Sequence, residues 1–139
     1  GMSLGGLSAF DIVYNQSSLF GKVGVFSGSF WWRKKPYIKN DLKDRSRIVL
    51  EVVKNGAYAD HLKFWFQCGS LDETADRNHN GIIDAIEDTL DLIKELKTKG
   101  YSYPGDIIYV QVEGGKHDLS TWGKVFPQFI TWAMTKTKP

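Results

Sequence analysis

The sequence is poor in cysteine, in net charge and in long apolar runs. Its one cysteine, Cys68, cannot form an internal disulfide and so is silent about compartment. The net charge is only +2, from 18 basic and 16 acidic residues, so no strong field recruits nucleic acid or acidic lipid. No apolar run approaches the ~20 residues of a membrane span, and no basic-then-apolar leader is present. Internal repeats, low-complexity tracts and linkers are missing too. What remains is 139 residues, which reads as a single domain over 1–139. A chain of that size can bury about two thirds of its surface. With 42% hydrophobic and 24% charged residues the composition is that of a globular protein. The 14 Gly, 8 Phe, 6 Tyr and 5 Trp suggest tight turns around a bulky core, as in an enzyme-like α/β domain more than a helical adaptor.

Strand and helix patterns alternate along the chain. Leu4–Gln16 reads as a helix, and Gly21–Gly28 as a buried strand between glycines. A helix capped by Asn40 or Asp41 then carries Ile48, Val49, Val52 and Val53 and stops at Gly56. His61–Cys68 is a second strand. Ile83–Lys99 is the clearest helix, with Ile83, Ile86, Leu90, Ile93 and Leu96 on one face. Acidic Asp84, Glu87 and Asp88 near its start and Lys97, Lys99 and Gly100 at its end suit the helix dipole. Asp106–Val112 is a third strand, and Thr121–Thr135 a last helix in which Pro127 implies a kink or a late start. This order implies about three parallel strands with crossover helices on both faces of the sheet.

Residues 1–5, Gly1-Met2-Ser3-Leu4-Gly5, fit G-x-S-x-G. In that motif a serine occupies a sharp strand-to-helix turn, and the helix behind it aims backbone N–H groups at a substrate oxygen. The pentapeptide is common by chance, and a glycine-rich helix start is the plain alternative. The following Gly6-Leu7 and the helix to Gln16 favour the turn. Partners of such a serine follow in the order acid, then histidine, each after a later strand. Asp72 lies four residues past the second strand, and His117 lies in the loop after the third. Singly, each is also an ordinary turn residue; the three in this order at one sheet edge point to chemistry.

The segments GMSLGG, VGVFSGSFWW, FQCGSLDE and GGKHDLSTWGKVFPQFITW together resemble the Putative esterase family of α/β-hydrolases. That family includes enterochelin esterases, S-formylglutathione hydrolases and feruloyl and acetyl xylan esterases. The resemblance implies Ser3 as nucleophile, His117 as general base and Asp72 as the acid that orients it. It implies the Leu4 backbone N–H as an oxyanion donor. The substrate it implies is a small ester, carbohydrate-, aryl- or siderophore-linked, with no organic cofactor. It also implies that this is the C-terminal part of the fold, lacking an N-terminal half of about 100 residues or more that supplies the strand into the serine and a second oxyanion N–H. Loss of one such donor costs on the order of 100–1000-fold in rate, so reduced or absent activity is an expectation for this chain.

A second motif stands apart from the first. Residues 76–87 match the calcium loop D-x-[DN]-x-[DN]-G-x5-E at every specified position. The oxygen ligands would be Asp76, Asn78, Asn80, the Ile82 carbonyl, Asp84 (directly or through water) and bidentate Glu87, with Gly81 at the sharp turn. Ile83 falls at the inward-packing position, and His79 faces solvent. A strand precedes the loop where an entering helix would stand, so a structural calcium ion is expected and a paired sensor is not. The plain alternative is a polar loop that only caps the helix.

Trp31 and Trp32, in Phe30–Lys35 after the first strand, are candidates for a pocket wall stacking on a sugar or aryl ester. Core packing or a subunit contact is the alternative. Trp122 and Trp132 read as core, and Lys136 and Lys138 as a solvated tail. The edge of the first strand, Lys22–Ser27, is left open by the missing half, which predicts a homodimer or pairing with another segment. Calcium loops and the family's siderophore and polysaccharide work point toward the periplasm or the exterior. Two functional readings stay open: a serine esterase, or a catalytically silent, calcium-stabilised binding or assembly module.

Overall fold

A parallel strand pair needs a crossover connection, and the helices between these short apolar runs supply one. The computed structural model, which describes residues 1–39 and 46–135, has this arrangement. Strands β1 (Lys22–Phe26), β2 (Lys63–Leu71) and β3 (Ile107–Lys116) form one parallel sheet in the order β1-β2-β3. Helices α2 (Ile48–Asn55) and α3 (Asp84–Lys99) are the crossovers. Helix α1 (Ser3–Asn15) leads into β1, and α4 (Leu119–Met134) follows β3. Among the described residues no helix is long and apolar enough to cross a membrane.

The two faces of the sheet are covered by different helices. Val23, Val25, Phe64, Phe66 and Ile107 face α1, α2 and α3, and pack with Phe10, Val53, Leu92 and Leu96 in one core. Phe10 is its hub, with ring centroids 5.6–6.1 Å from Tyr14, Phe30, Phe64 and Phe66. Burial of each such ring contributes roughly 1.5–3 kcal/mol. The alternate residues face α4: Phe129 lies 5.3 Å from Phe26 and 5.9 Å from Trp65.

Several boundaries differ from expectation. Helix α2 begins at Ile48 with Arg47 at its N-cap and no side-chain cap, whereas Asn40 and Asp41 lie outside the described residues, as do Lys136 and Lys138. On α3 the buried leucines are Leu92 and Leu96, and Leu90 is exposed, because one position of drift turns it out of the stripe. Helix α4 starts two residues earlier than expected and runs continuously through Pro127. Its cap is Asp118, which accepts the Thr121 N–H at 2.8 Å. Trp122 is buried, but Trp132 is only half-buried, its ring beside Trp65 and under the Lys22 ammonium. The open edge of β1 is partly closed by the chain itself. Gly1 donates to the Gly24 carbonyl at 2.7 Å, its own carbonyl accepts the Phe26 N–H at 2.9 Å, and Met2 bridges Phe26 in parallel.

Candidate active site

Met2 is extended and Ser3 already opens α1, so the chain changes from strand to helix between one residue and the next. Ser3 absorbs the change with φ of +54°, a left-handed conformation rare outside glycine. Such a residue costs about 1–3 kcal/mol and persists only where its surroundings hold it. The holding contacts are local: Gly6 N–H donates to the Met2 carbonyl at 3.0 Å and Ser29 N–H to the Ser3 carbonyl at 3.1 Å. A Cβ on Gly1 would lie 2.2 Å from the Gly5 carbonyl oxygen, and one on Gly6 would lie 2.8 Å from Val25 Cγ1. Glycine is therefore needed at those two positions, while a Cβ at Gly5 meets nothing within 4 Å. Met2 gives the helix no side-chain cap, so the first N–H groups, that of Leu4 among them, have no intrahelical acceptor. They present a site for negative charge.

Asp72 and His117 are set by the ends of β2 and β3, which run three and four residues further than the sequence suggests. Leu71 pairs with Lys116, so Asp72 and His117 each follow one member of a paired couple. Between Gly69 and Leu71 the register shifts, with Glu113–Gly115 forming the extra length on β3. Such bulges re-aim the side chains that follow them. This one is stitched by Ser70, whose hydroxyl donates to Glu113 at 3.1 Å and accepts the Gly114 N–H at 2.8 Å. Asp72 Oδ2 accepts the Gly69 N–H at 3.0 Å, while its buried Oδ1 has no partner. His117 lies between two tethered residues: Lys116 N–H donates to Thr121 Oγ1 at 2.9 Å, and Asp118 caps α4. That cap holds the Asp118 carboxyl below the usual range.

Ser3, Asp72 and His117 thus stand at one C-terminal sheet edge, after Met2, Leu71 and Lys116. No hydrogen bond joins them into a chain. His117 is exposed and meets Trp122 edge-on at 5.2 Å, and Ser3 Oγ lies 3.4 Å from Ser29 Oγ. In the absence of substrate, catalytic hydrogen bonds are often long and tighten only in the complex. The sequence reading missed Ser27 and Ser29, both buried at this edge, although Ser27-Gly28-Ser29 after an apolar strand signals a tight turn. Ser27 has φ of +48°, and its hydroxyl accepts the Trp122 indole N–H at 2.9 Å.

Trp31 and Trp32 are both about half exposed, with ring centroids 5.4 Å apart. Trp32 walls a cavity of about 240 Å³ between α1 and α2, with Leu7, Ser8, Asp11, Val49 and Val52. Ser3, Asp72, His117 and Trp31 do not line it. Cys68 is buried, and burial pushes its thiol up to about 12, so it supplies no thiolate at neutral pH.

In the loop before α3, Glu87 accepts both Asn78 Nδ2, at 2.9 and 3.0 Å, and Asn80 Nδ2, at 2.6 Å. Asp76 accepts the N–H groups of Asn80 and Gly81, and Gly81 has φ of +85°. Ile82 donates its N–H to Asn80 Oδ1. Asp84 turns to Arg77, which also pairs with the buried Asp88. Among the described residues no three acidic, histidine or cysteine side chains gather as a metal cluster. His79 is exposed and Ile83 half-buried.

A parallel sheet whose C-terminal edge carries a serine on a strained strand-to-helix turn is the arrangement of the α/β-hydrolases. The chain belongs to the Putative esterase family, whose model matches residues 1–132. Among solved structures, the enterobactin esterase of Shigella flexneri, in the presence of enterobactin, is 26% identical with a TM-score of 0.64. That likeness covers 92% of this chain and 28% of the esterase. A siderophore hydrolase of Aspergillus nidulans shares the fold at 19% identity and TM-score 0.60, over 95% of this chain and 47% of that one. A ferulic acid esterase shares it at 17% identity and TM-score 0.62, over 95% and 48%. The chain therefore spans less than half the length of each of these relatives. No curated protein matches it.

Proposed function

We propose that the chain carries the catalytic edge of an esterase-type serine hydrolase. Ester hydrolysis in general is supported by its family and by its esterase neighbours. In this reading Ser3 Oγ adds to the ester carbonyl carbon while its proton passes to His117. The Leu4 N–H stabilises the oxyanion. Collapse of the tetrahedral intermediate breaks the bond to the alcohol, which leaves with the proton from His117. Water then adds to the acyl carbon, giving its proton to His117, which passes it to Ser3 Oγ as the bond to the acyl carbon breaks and the acid departs. Asp72 orients His117, and its partnerless Oδ1 is the acceptor available for a ring N–H. The names of the relatives favour a siderophore-linked or aryl ester, for which Trp31 and Trp32 offer stacking faces.

The observation that carries the reading is the +54° φ of Ser3, strain kept at the one serine the motif selects. Exposed and unbonded, His117 favours a second reading, a catalytically silent module. Labelling with a fluorophosphonate probe separates the two. Labelling of the wild type that disappears in Ser3→Ala, with the melting transition unchanged, is the expected result. A folded wild type that takes no label, or equal labelling of both proteins, rejects the hydrolase.

A further inference from the structure

We propose that residues 76–87 form a calcium site that fixes the segment between Asp72 and α3. This inference is independent of the serine chemistry. The pattern is not a gathering of carboxylates. It consists of one acidic, two amide, one backbone and two further acidic positions around a glycine, at the spacing of a twelve-residue calcium loop.

The folded loop brings the distant members together. Positions 3, 5 and 12 of the pattern, Asn78, Asn80 and Glu87, meet at a single point, although seven to nine residues separate them in sequence. There the two amide N–H groups hydrogen-bond the Glu87 carboxylate, occupying the oxygens that a cation would take in a loaded loop. A half-turn of each amide presents Oδ1 in place of Nδ2 and leaves Glu87 free to offer both oxygens, at the expense of the bonds that Asn78 Oδ1 and Asn80 Oδ1 accept from the Asn80 and Ile82 N–H groups. Position 1, Asp76, already folds the backbone around that point by accepting the N–H groups of positions 5 and 6. Position 6, Gly81, has the positive φ that the turn requires.

Asp84, at position 9, pairs with Arg77, and position 9 commonly ligates through water. It can therefore keep Arg77 while a water bridges to the ion. Arg77 joins Asp88, which also holds Arg47 at the start of α2. Calcium bound at this loop would thus brace the contact between α2 and α3. The flexible, oxygen-only ligand set suits calcium over magnesium, which demands near-octahedral geometry and holds its waters. Three carboxylates and two neutral amides place the affinity at the weak end, Kd about 10⁻⁵ to 10⁻³ M.

The test is calorimetric titration of the whole chain with calcium, with melting curves in calcium, magnesium or chelator. One calcium per chain, a melting temperature raised by calcium more than by magnesium, and affinity weakened about tenfold or more in Glu87→Gln are expected. Asp76→Asn serves as a second variant if Glu87→Gln melts early in chelator. A folded wild type that takes up no calcium at about 5 mM overturns the proposal, as do variants that bind as tightly as the wild type. Equal binding of magnesium overturns the assignment of the ion.

Discussion

Trp122 donates its indole N–H to Ser27 Oγ at 2.9 Å, joining α4 to the turn after β1 across 95 residues of chain. Both residues are buried, and the ring that makes the bond also meets His117. The bond therefore sets where the His117 loop stands relative to the Ser3 edge. Trp122→Phe keeps an aromatic ring but removes the donor, leaving a buried hydroxyl unsatisfied. The expected loss is about 1–3 kcal/mol in urea unfolding. Trp122→Ala, which also opens a cavity, is expected to lose about 3–5 kcal/mol. A Phe variant within about 0.5 kcal/mol of wild type would show that the bond does not hold the edge.

Gly5 and Gly6 are neighbours on α1 with opposite surroundings. A Cβ at Gly5 meets nothing, so Gly5→Ala gains helix propensity and raises stability by up to about 1 kcal/mol. A Cβ at Gly6 lies 2.8 Å from Val25 Cγ1 and 3.2 Å from the Gly1 carbonyl oxygen, so helix and strand must part. Gly6→Ala is expected to cost about 1–3 kcal/mol. Thermal melts of the two variants should shift in opposite directions. A shared direction would mean that the approach of α1 to β1 is looser than these distances require.

The serine edge and the βα alternation were legible because each rests on local pattern: glycines around Ser3, apolar runs for strands, a dipole-matched helix at Asp84–Lys99. The ends of β2 and β3 were not legible. Gly69, Gly114 and Gly115 read as loop signals, yet the strands continue through them. At Gly69 a Cβ would lie 2.4 Å from the Gly115 oxygen, so glycine there lets the strands approach, and no single-strand pattern reports an approach between strands. By sequence alone Asp88 is a helix-dipole residue. It is 1% exposed because Arg47, 41 positions away, and Arg77, 11 positions away, both reach it. Pairings of that range leave no periodic trace in sequence. The cavity beside Trp32 was likewise invisible, since α1 and α2 build it together.

Arg47 pairs with two carboxylates of very different exposure. The Asp88 side chain is 1% exposed and that of Asp91 42%. Truncating Arg47 strips a buried carboxylate of a guanidinium partner, whereas truncating Asp91 removes a partly solvated one. Arg47→Met is expected to destabilise by about 3 kcal/mol or more, and Asp91→Ala by no more than about 1 kcal/mol. Urea unfolding at moderate and high salt checks the contrast. Similar losses for the two variants would mean that solvent reaches Asp88.

Asp106 stands where β3 begins and ties that end of the sheet together. Its carboxylate accepts from the Lys63 ammonium of β2 and from the Ser102 N–H and hydroxyl, at 2.8 and 2.9 Å. Burial acts to raise its pKa, but the bonds from Lys63 and Ser102 outweigh it, and the carboxyl is held below the usual range. A depressed folded value means that the unfolded chain binds the proton more readily. The stabilisation is therefore complete above the unfolded value of about 3.9 and is lost as pH falls through the lower folded value. Asp106→Asn keeps the shape but loses the charge-assisted bonds, for an expected cost of about 2 kcal/mol at neutral pH. Unfolding of wild type and variant at pH 7, 5, 4 and 3 should show a difference that is steady down to about pH 5 and shrinks below about pH 4. A difference unchanged at the lowest pH would assign the effect to packing, because a lost ion pair must fade once the wild-type carboxylate takes up its proton.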